Sequence, residues 1–167
     1  MLRFFSFADN LKSMLLFEEN EAEFLRRSLF EKALLTAWGN QKFTTIRIDG
    51  KWVNWNSFMR ERLLRANRAK LIEHSDPLPS GDALTVFRGV GGREEFQRVR
   101  GVSWSLSATV ARFFAQDCSR PALYRSTVER SDVFAYINES GRREKEVLLV
   151  LDEKHSVEEL PADPRSS

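Results

Sequence analysis

The sequence predicts an α+β protein: a helical N-terminal half with a hairpin, then a β-rich half. Three observations carry this. Residues 9–38 are rich in Leu, Glu, Ala, Arg and Phe, with apolar side chains at helical spacing. Asp49-Gly50 lies between two β-prone runs, a strong short-range hairpin signal. Beyond a proline-containing loop, five short β-prone runs follow with one clear helix among them. At 167 residues, 42% hydrophobic and with 13 Phe and 4 Trp, the chain is long and apolar enough to bury a core. A single domain spanning 1–167 is expected, with a mainly helical part at 1–80, a β-rich part at 81–151 and an acidic, loose tail at 152–167.

Met1–Asn10 is apolar, but Asp9 and Lys12 interrupt it, and no apolar run approaches the roughly 18 residues of a membrane span. No small-residue cleavage site follows. With Cys118 as the single cysteine, no internal disulfide can form, and a cytoplasmic protein without a membrane partner is expected. An effector delivered into a host cell by a non-classical route would read the same way. Leu11, Met14, Leu15, Phe24, Leu25, Leu34, Ala37 and Trp38 predict one broken helix or two, ended by Gly39-Asn40. Lys42–Ile48 and Lys51–Trp55 form the hairpin, and Asn56 or Ser57 caps a helix reaching about Ile72.

Charge is unevenly spread. The net +2 is too small to imply nucleic-acid binding, yet residues 41–72 hold eight basic side chains against two acidic ones. The eight are Lys42, Arg47, Lys51, Arg60, Arg62, Arg65, Arg68 and Lys70. Such a run is more often a solvated helix face than a docking surface for phosphates or an acidic partner. His74–Gly81, with two prolines and a glycine, reads as a loop between the halves. The strands expected after it are 83–88, 102–106, 122–129, 132–138 and 144–151, with a helix at 107–116.

The stretch Gly101–Gln116 concentrates the chemical interest. Val102, Trp104 and Leu106 alternate with Ser103, Ser105 and Ser107, so one strand face is apolar and the other carries hydroxyls. Ser107 can cap a helix containing Phe113 and Phe114. Arg88, followed by Gly89, ends a strand and offers a fork for phosphate or carboxylate, although an exposed strand-end arginine is the plainer reading. Glu144 and Glu146 are two apart and on a strand would share a face, although Glu-Lys-Glu is also common surface decoration. Gly89-Val-Gly-Gly92 opens no βαβ unit, so a dinucleotide fold is excluded. Cys118 has no motif with His74 or His155, and no His/Cys spacing suits a metal.

Together these motifs resemble the ADP-ribosyltransferases of the arginine–serine–glutamate class. The match comprises Val86-Phe-Arg-Gly89, Val102-Ser-Trp-Ser105 with Ala111-Arg-Phe-Phe-Ala115, and Val133-Phe-Ala-Tyr-Ile137 leading to Glu144-Lys-Glu-Val-Leu-Leu149. It covers roughly residues 83–151. Trp104 stands where the family often has threonine; it points to the opposite face and should pack the core. The resemblance implies a split β-sandwich, with an NAD-binding cleft between two small sheets, and makes 81–151 the catalytic part. Arg88, with the Gly89 backbone, would hold the NAD phosphates, and Ser103 would position the nicotinamide ribose and the catalytic carboxylate. Ser105 and Phe113 would line the cofactor site, Glu146 would be the catalytic glutamate, and Glu144 would face the acceptor.

The expected function is therefore an NAD-dependent mono-ADP-ribosyltransferase. It would act as an intracellular toxin or effector, held in check by an antitoxin-like partner, with NAD as co-substrate and no metal. The acceptor is a protein arginine or a nucleic-acid base, because the short loop Asn138–Arg143 does not decide between them. The alternative is an inactive transferase-fold module that binds nucleic acid or protein through 42–70. A pure NAD hydrolase is a third reading.

Overall fold

Phe17 is the hub of the N-terminal elements. Its ring stacks on Phe24 at 5.6 Å and meets Phe30 and Phe58 edge-on at 5.5 and 6.2 Å, geometries that add to burial. These residues lie on helices α1 (Ser13–Glu19), α2 (Glu21–Arg26), α3 (Phe30–Asn40) and α4 (Trp55–Arg65) of a computed structural model. The structure describes residues 13–40, 45–48, 51–90, 101–116, 121–138 and 143–161. The Asp49-Gly50 turn, Gly91, Gly92, Cys118, Arg142 and Lys42 lie outside the described residues. Two compact units divide the chain, 1–75 and 76–167.

In the first unit the region expected to hold one or two helices holds three among the described residues, and Gly39-Asn40 belongs to the last of them. Ser28, at a φ of 57°, turns the chain between α2 and α3. On α3, Phe30, Ala33, Leu34, Ala37 and Trp38 recur at three- and four-residue spacing and are buried. The hairpin pairs β1 (Thr45–Ile48) with β2 (Lys51–Asn54), Ile48 opposite Lys51. Asn54, not Asn56 or Ser57, caps α4, its Oδ1 accepting the Asn56 N–H at 2.8 Å. The helix expected to reach Ile72 stops at Arg65, and α5 (Arg68–Glu73) begins anew. The break is built into side chains: buried Glu31 accepts the Asn67 N–H at 2.9 Å, and Asn67 accepts that of Lys70 at 3.2 Å. Asn67 is thus an N-cap in the middle of a helix-favouring run.

The second unit is α+β around a six-stranded antiparallel sheet. Its strands are β3 (Ala83–Val90), β4 (Ser103–Ser105), β5 (Ala122–Glu129), β6 (Val133–Ile137), β7 (Glu146–Leu149) and β8 (Val157–Leu160). Their order is β6-β7-β4-β3-β5-β8. Helix α6 (Ala108–Gln116) follows β4. The sheet is unevenly stitched. β3 and β5 share eight paired positions, from Ala83 opposite Glu129 to Val90 opposite Ala122. β3 and β4 share one, Phe87 opposite Ser105.

Side-chain alternation sorts the faces. Leu84 and Val86 on β3, Trp104 on β4 and Val147 and Leu149 on β7 gather in one buried cluster. Trp104 is buried there as expected, and its Nε1 donates to the Gly101 carbonyl at 3.0 Å. On the other face α6 packs so tightly on β3 that a Cβ at Gly89 would overlap the Ala111 carbonyl. The stretch beyond Asp152 is not wholly the loose tail expected, because β8 pairs with β5 over Leu123–Ser126. Among the described residues no helix is long and apolar enough to cross a membrane.

Candidate functional site

The single β3–β4 pair is where the sequence-predicted residues meet. Arg88 follows Phe87 on β3 and extends the row of Leu84 and Val86, so its side chain leaves on the core face. Its Nη1 donates to the Ser103 carbonyl at 2.5 Å. That carbonyl points toward β3, since the preceding one, of Val102, accepts from Leu149 of β7 at 2.9 Å. With ladder pairing ended at Phe87–Ser105, the guanidinium takes a position that a main-chain N–H fills in a continuous sheet.

Burial pulls the Arg88 guanidinium down to about 10, and the negative charge of Glu146 works against that shift. A value near 10 leaves Arg88 protonated at neutral pH. Glu146 is the first residue of β7, is buried, and stands opposite Ser105 across the β4–β7 ladder. A buried carboxylate near a half-buried guanidinium keeps two opposite charges partly out of water, where each acts more strongly than it would at the surface.

Ser105 is used differently. It is buried, its Oγ donates to the Glu144 carbonyl at 2.7 Å, and the same Oγ accepts the Ser107 N–H at 3.0 Å. Ser107 Oγ in turn accepts from the Val110 N–H at 3.4 Å, the expected cap of α6. Leu106 N–H donates to the Lys145 carbonyl at 2.9 Å. The segment leading into β7 is therefore tied to the β4–α6 junction by two hydrogen bonds. Within it Arg143 and Lys145 adopt left-handed backbones, with φ of 52° and 49°, a conformation that non-glycine residues hold only when their surroundings enforce it. Glu144 lies in this kinked segment ahead of the strand, so the strand alternation expected to put it on one face with Glu146 does not apply.

Arg88 thus meets the main chain of Ser103 and feels the charge of Glu146, while among the described residues no contact of the Ser103 hydroxyl carries the positioning role expected of it, and Ser105 with the Glu144 carbonyl braces the approach to Glu146. Gly89 owes its lack of a side chain to α6, since an added Cβ would also come within 3.2 Å of the Ala115 N. Phe113 lies on α6 with 65% of its surface exposed, its ring edge-on to Phe114 at 5.9 Å. Sequence reasoning passed over Gly101, which is buried and whose Cα faces the Arg88 guanidinium. Its signal was only its place at the head of the serine-bearing stretch.

The basic run has partners of its own within the first unit. Arg62 bonds Glu21 at 3.0 Å and lies 3.6 Å over the Phe58 ring, and Arg65 also pairs with Glu21. Two of the eight cations in the basic run are therefore paired within the first unit. Among the described residues no group of three His, Cys, Asp or Glu side chains could hold a metal ion. No family model, curated protein or solved structure matches the chain.

Proposed function

We propose that the chain is an NAD-dependent mono-ADP-ribosyltransferase. The observation that carries this reading is Arg88, bonded to the Ser103 carbonyl and within range of the Glu146 charge, beside the one residue pair joining two three-stranded halves of the sheet, β6-β7-β4 and β3-β5-β8. The sheet is a single six-stranded one, not the two small sheets expected; on this reading its two halves stand in for them and the weak β3–β4 join for the cleft.

The chemistry suits the residues. When the bond between nicotinamide and ribose breaks, its electron pair leaves with the nicotinamide and positive charge develops on the ribose, as in glycoside cleavage. The Glu146 carboxylate stabilises that charge where it forms. The acceptor's lone pair makes the new bond to the ribose carbon, and its proton passes to Glu144 or to water. Arg88, protonated and partly desolvated, suits the diphosphate of NAD. An intracellular toxin or effector restrained by an inhibitory partner is the setting that goes with this activity. The engagement of Arg62 and Arg65 with Glu21 weakens the alternative of an inactive module binding through 42–70.

Incubation with NAD and cell lysate, read by nicotinamide release and by mass spectrometry of ADP-ribose adducts, tests the proposal. Wild type should release nicotinamide and leave adducts on protein arginine or on a nucleic-acid base, and Glu146→Gln should do neither. NAD left intact by wild type in lysate overturns it. NAD consumed without any adduct would make the chain a hydrolase.

A further inference from the structure

The split between β3 and β4 has a seat for the Arg88 guanidinium, and one wall of that seat is a missing side chain. A Cβ on Gly101 would lie 2.6 Å from Nη1 of Arg88 and would overlap Cζ and Nη2 as well. The three guanidinium heavy atoms other than Nε thus occupy or crowd the volume of one methyl group. Gly101 is buried, and its backbone lies outside the left-handed region, where only Gly81 is found among the described glycines. Conformational freedom therefore does not explain the glycine; space does. The second wall is the Ser103 carbonyl, which accepts from Nη1, and Gly101 is itself held by Trp104, whose Nε1 donates to the Gly101 carbonyl at 3.0 Å. That last bond fixes Gly101 itself, so the floor of the seat does not drift.

We infer that Gly101 is a positioning residue for Arg88: its empty Cβ volume is what lets the guanidinium lie in the β3–β4 split, at the height from which it would meet the NAD diphosphate. This rests on the transferase reading for the ligand, but not for the seat. The consequence is asymmetric. The atoms a methyl would strike are the far end of a flexible side chain, not backbone, so Gly101→Ala should displace Arg88 rather than unfold the sheet. At Gly89 the obstacle is the Ala111 backbone, which has no such escape. Two glycines, on opposite sides of one strand junction, are therefore required for different reasons.

The test uses the full chain and two readouts. The Arg88 Nε–Hε resonance, assigned by its loss in Arg88→Ala, reports the seat directly, and calorimetric titration with NAD reports the ligand. Gly101→Ala should keep the wild-type circular dichroism, move that resonance and speed its exchange with water, and weaken NAD at least about tenfold. Arg88→Ala should weaken NAD similarly, and the double variant should lose no more than Arg88→Ala alone, because both changes remove one interaction. An unmoved resonance in Gly101→Ala overturns the inference, as does an additive double variant. If wild type binds no NAD, the transferase reading fails while the resonance still decides the seat. Should Gly101→Ala melt early, Arg88→Lys in the same chain should restore the melting temperature, since an ammonium is slimmer than a guanidinium; failure to restore it would also overturn the inference.

Discussion

Arg62 and Arg88 are both arginines drawn largely out of water, one in each unit, and they are held in opposite ways. Arg62 faces a carboxylate, Glu21, with both side chains only 14% exposed, and rides on the Phe58 ring. Its charge is neutralised where it sits. Arg88 donates to a neutral carbonyl, and for it burial outweighs the attraction of Glu146, which is why its guanidinium falls to about 10. The difference separates a cation bonded to a carboxylate and seated on an aromatic ring from one that bonds main chain beside the charge of Glu146.

Neutralising the two carboxylates tests this contrast most sharply. Glu146→Gln should lower ADP-ribose transfer by about 10²-fold or more, measured as nicotinamide release, while Glu21→Gln should leave transfer within about twofold. Equal losses would erase the distinction between the units. Next in size comes a methyl at Gly89. Because it meets the Ala111 backbone, Gly89→Ala should cost about 3 kcal/mol of stability in urea melts, and near-neutral behaviour would mean that α6 lies looser on β3 than described. In the helical unit, a double-mutant cycle on Arg62 and Glu21 should give a coupling of about 1–2 kcal/mol. A coupling near zero would make the pair decoration and return Arg62 to the basic surface.

The smallest effect is acid lability near β8. For Asp132 burial alone would raise the pKa, but hydrogen bonds from Lys154 and His155 outweigh it and hold the carboxyl below its ordinary value of 3.8. A carboxyl lowered on folding adds stability that is complete above the unfolded value and disappears as pH falls through the folded one. Urea midpoints should therefore slip as the pH falls below about 4, and Lys154→Met should flatten that slope.

Much of the β unit is visible in the sequence because its strands alternate. Ala122–Glu129 is the strand expected, residue for residue, and Arg88, Ser103 and Glu146 sit on the predicted strands. The misses share a cause. Asn67 breaks a helix amid residues that all favour helix, and the break is stabilised by Glu31, distant in sequence. Val157–Leu160 carries two glutamates and shows no apolar face of its own, so only its pairing with β5 makes it a strand. Gly101 holds a guanidinium from 13 residues earlier, a relation of volume that no local pattern records. Local periodicity reads elements well, and it is silent on what fills the space between them.

The pairing of β8 has a consequence for how the chain behaves when shortened. β8 covers β5 from Leu123 to Ser126, and Arg125 and Glu158 clasp across that join. A chain cut after Asp152 would leave those main-chain groups open on a long strand, next to the apolar Leu123 and Tyr124. Such a rim is a template on which another copy can add its own strand. The segment expected to be a loose acidic tail thus closes the edge of β5, with Glu158 and Glu159 set along that join.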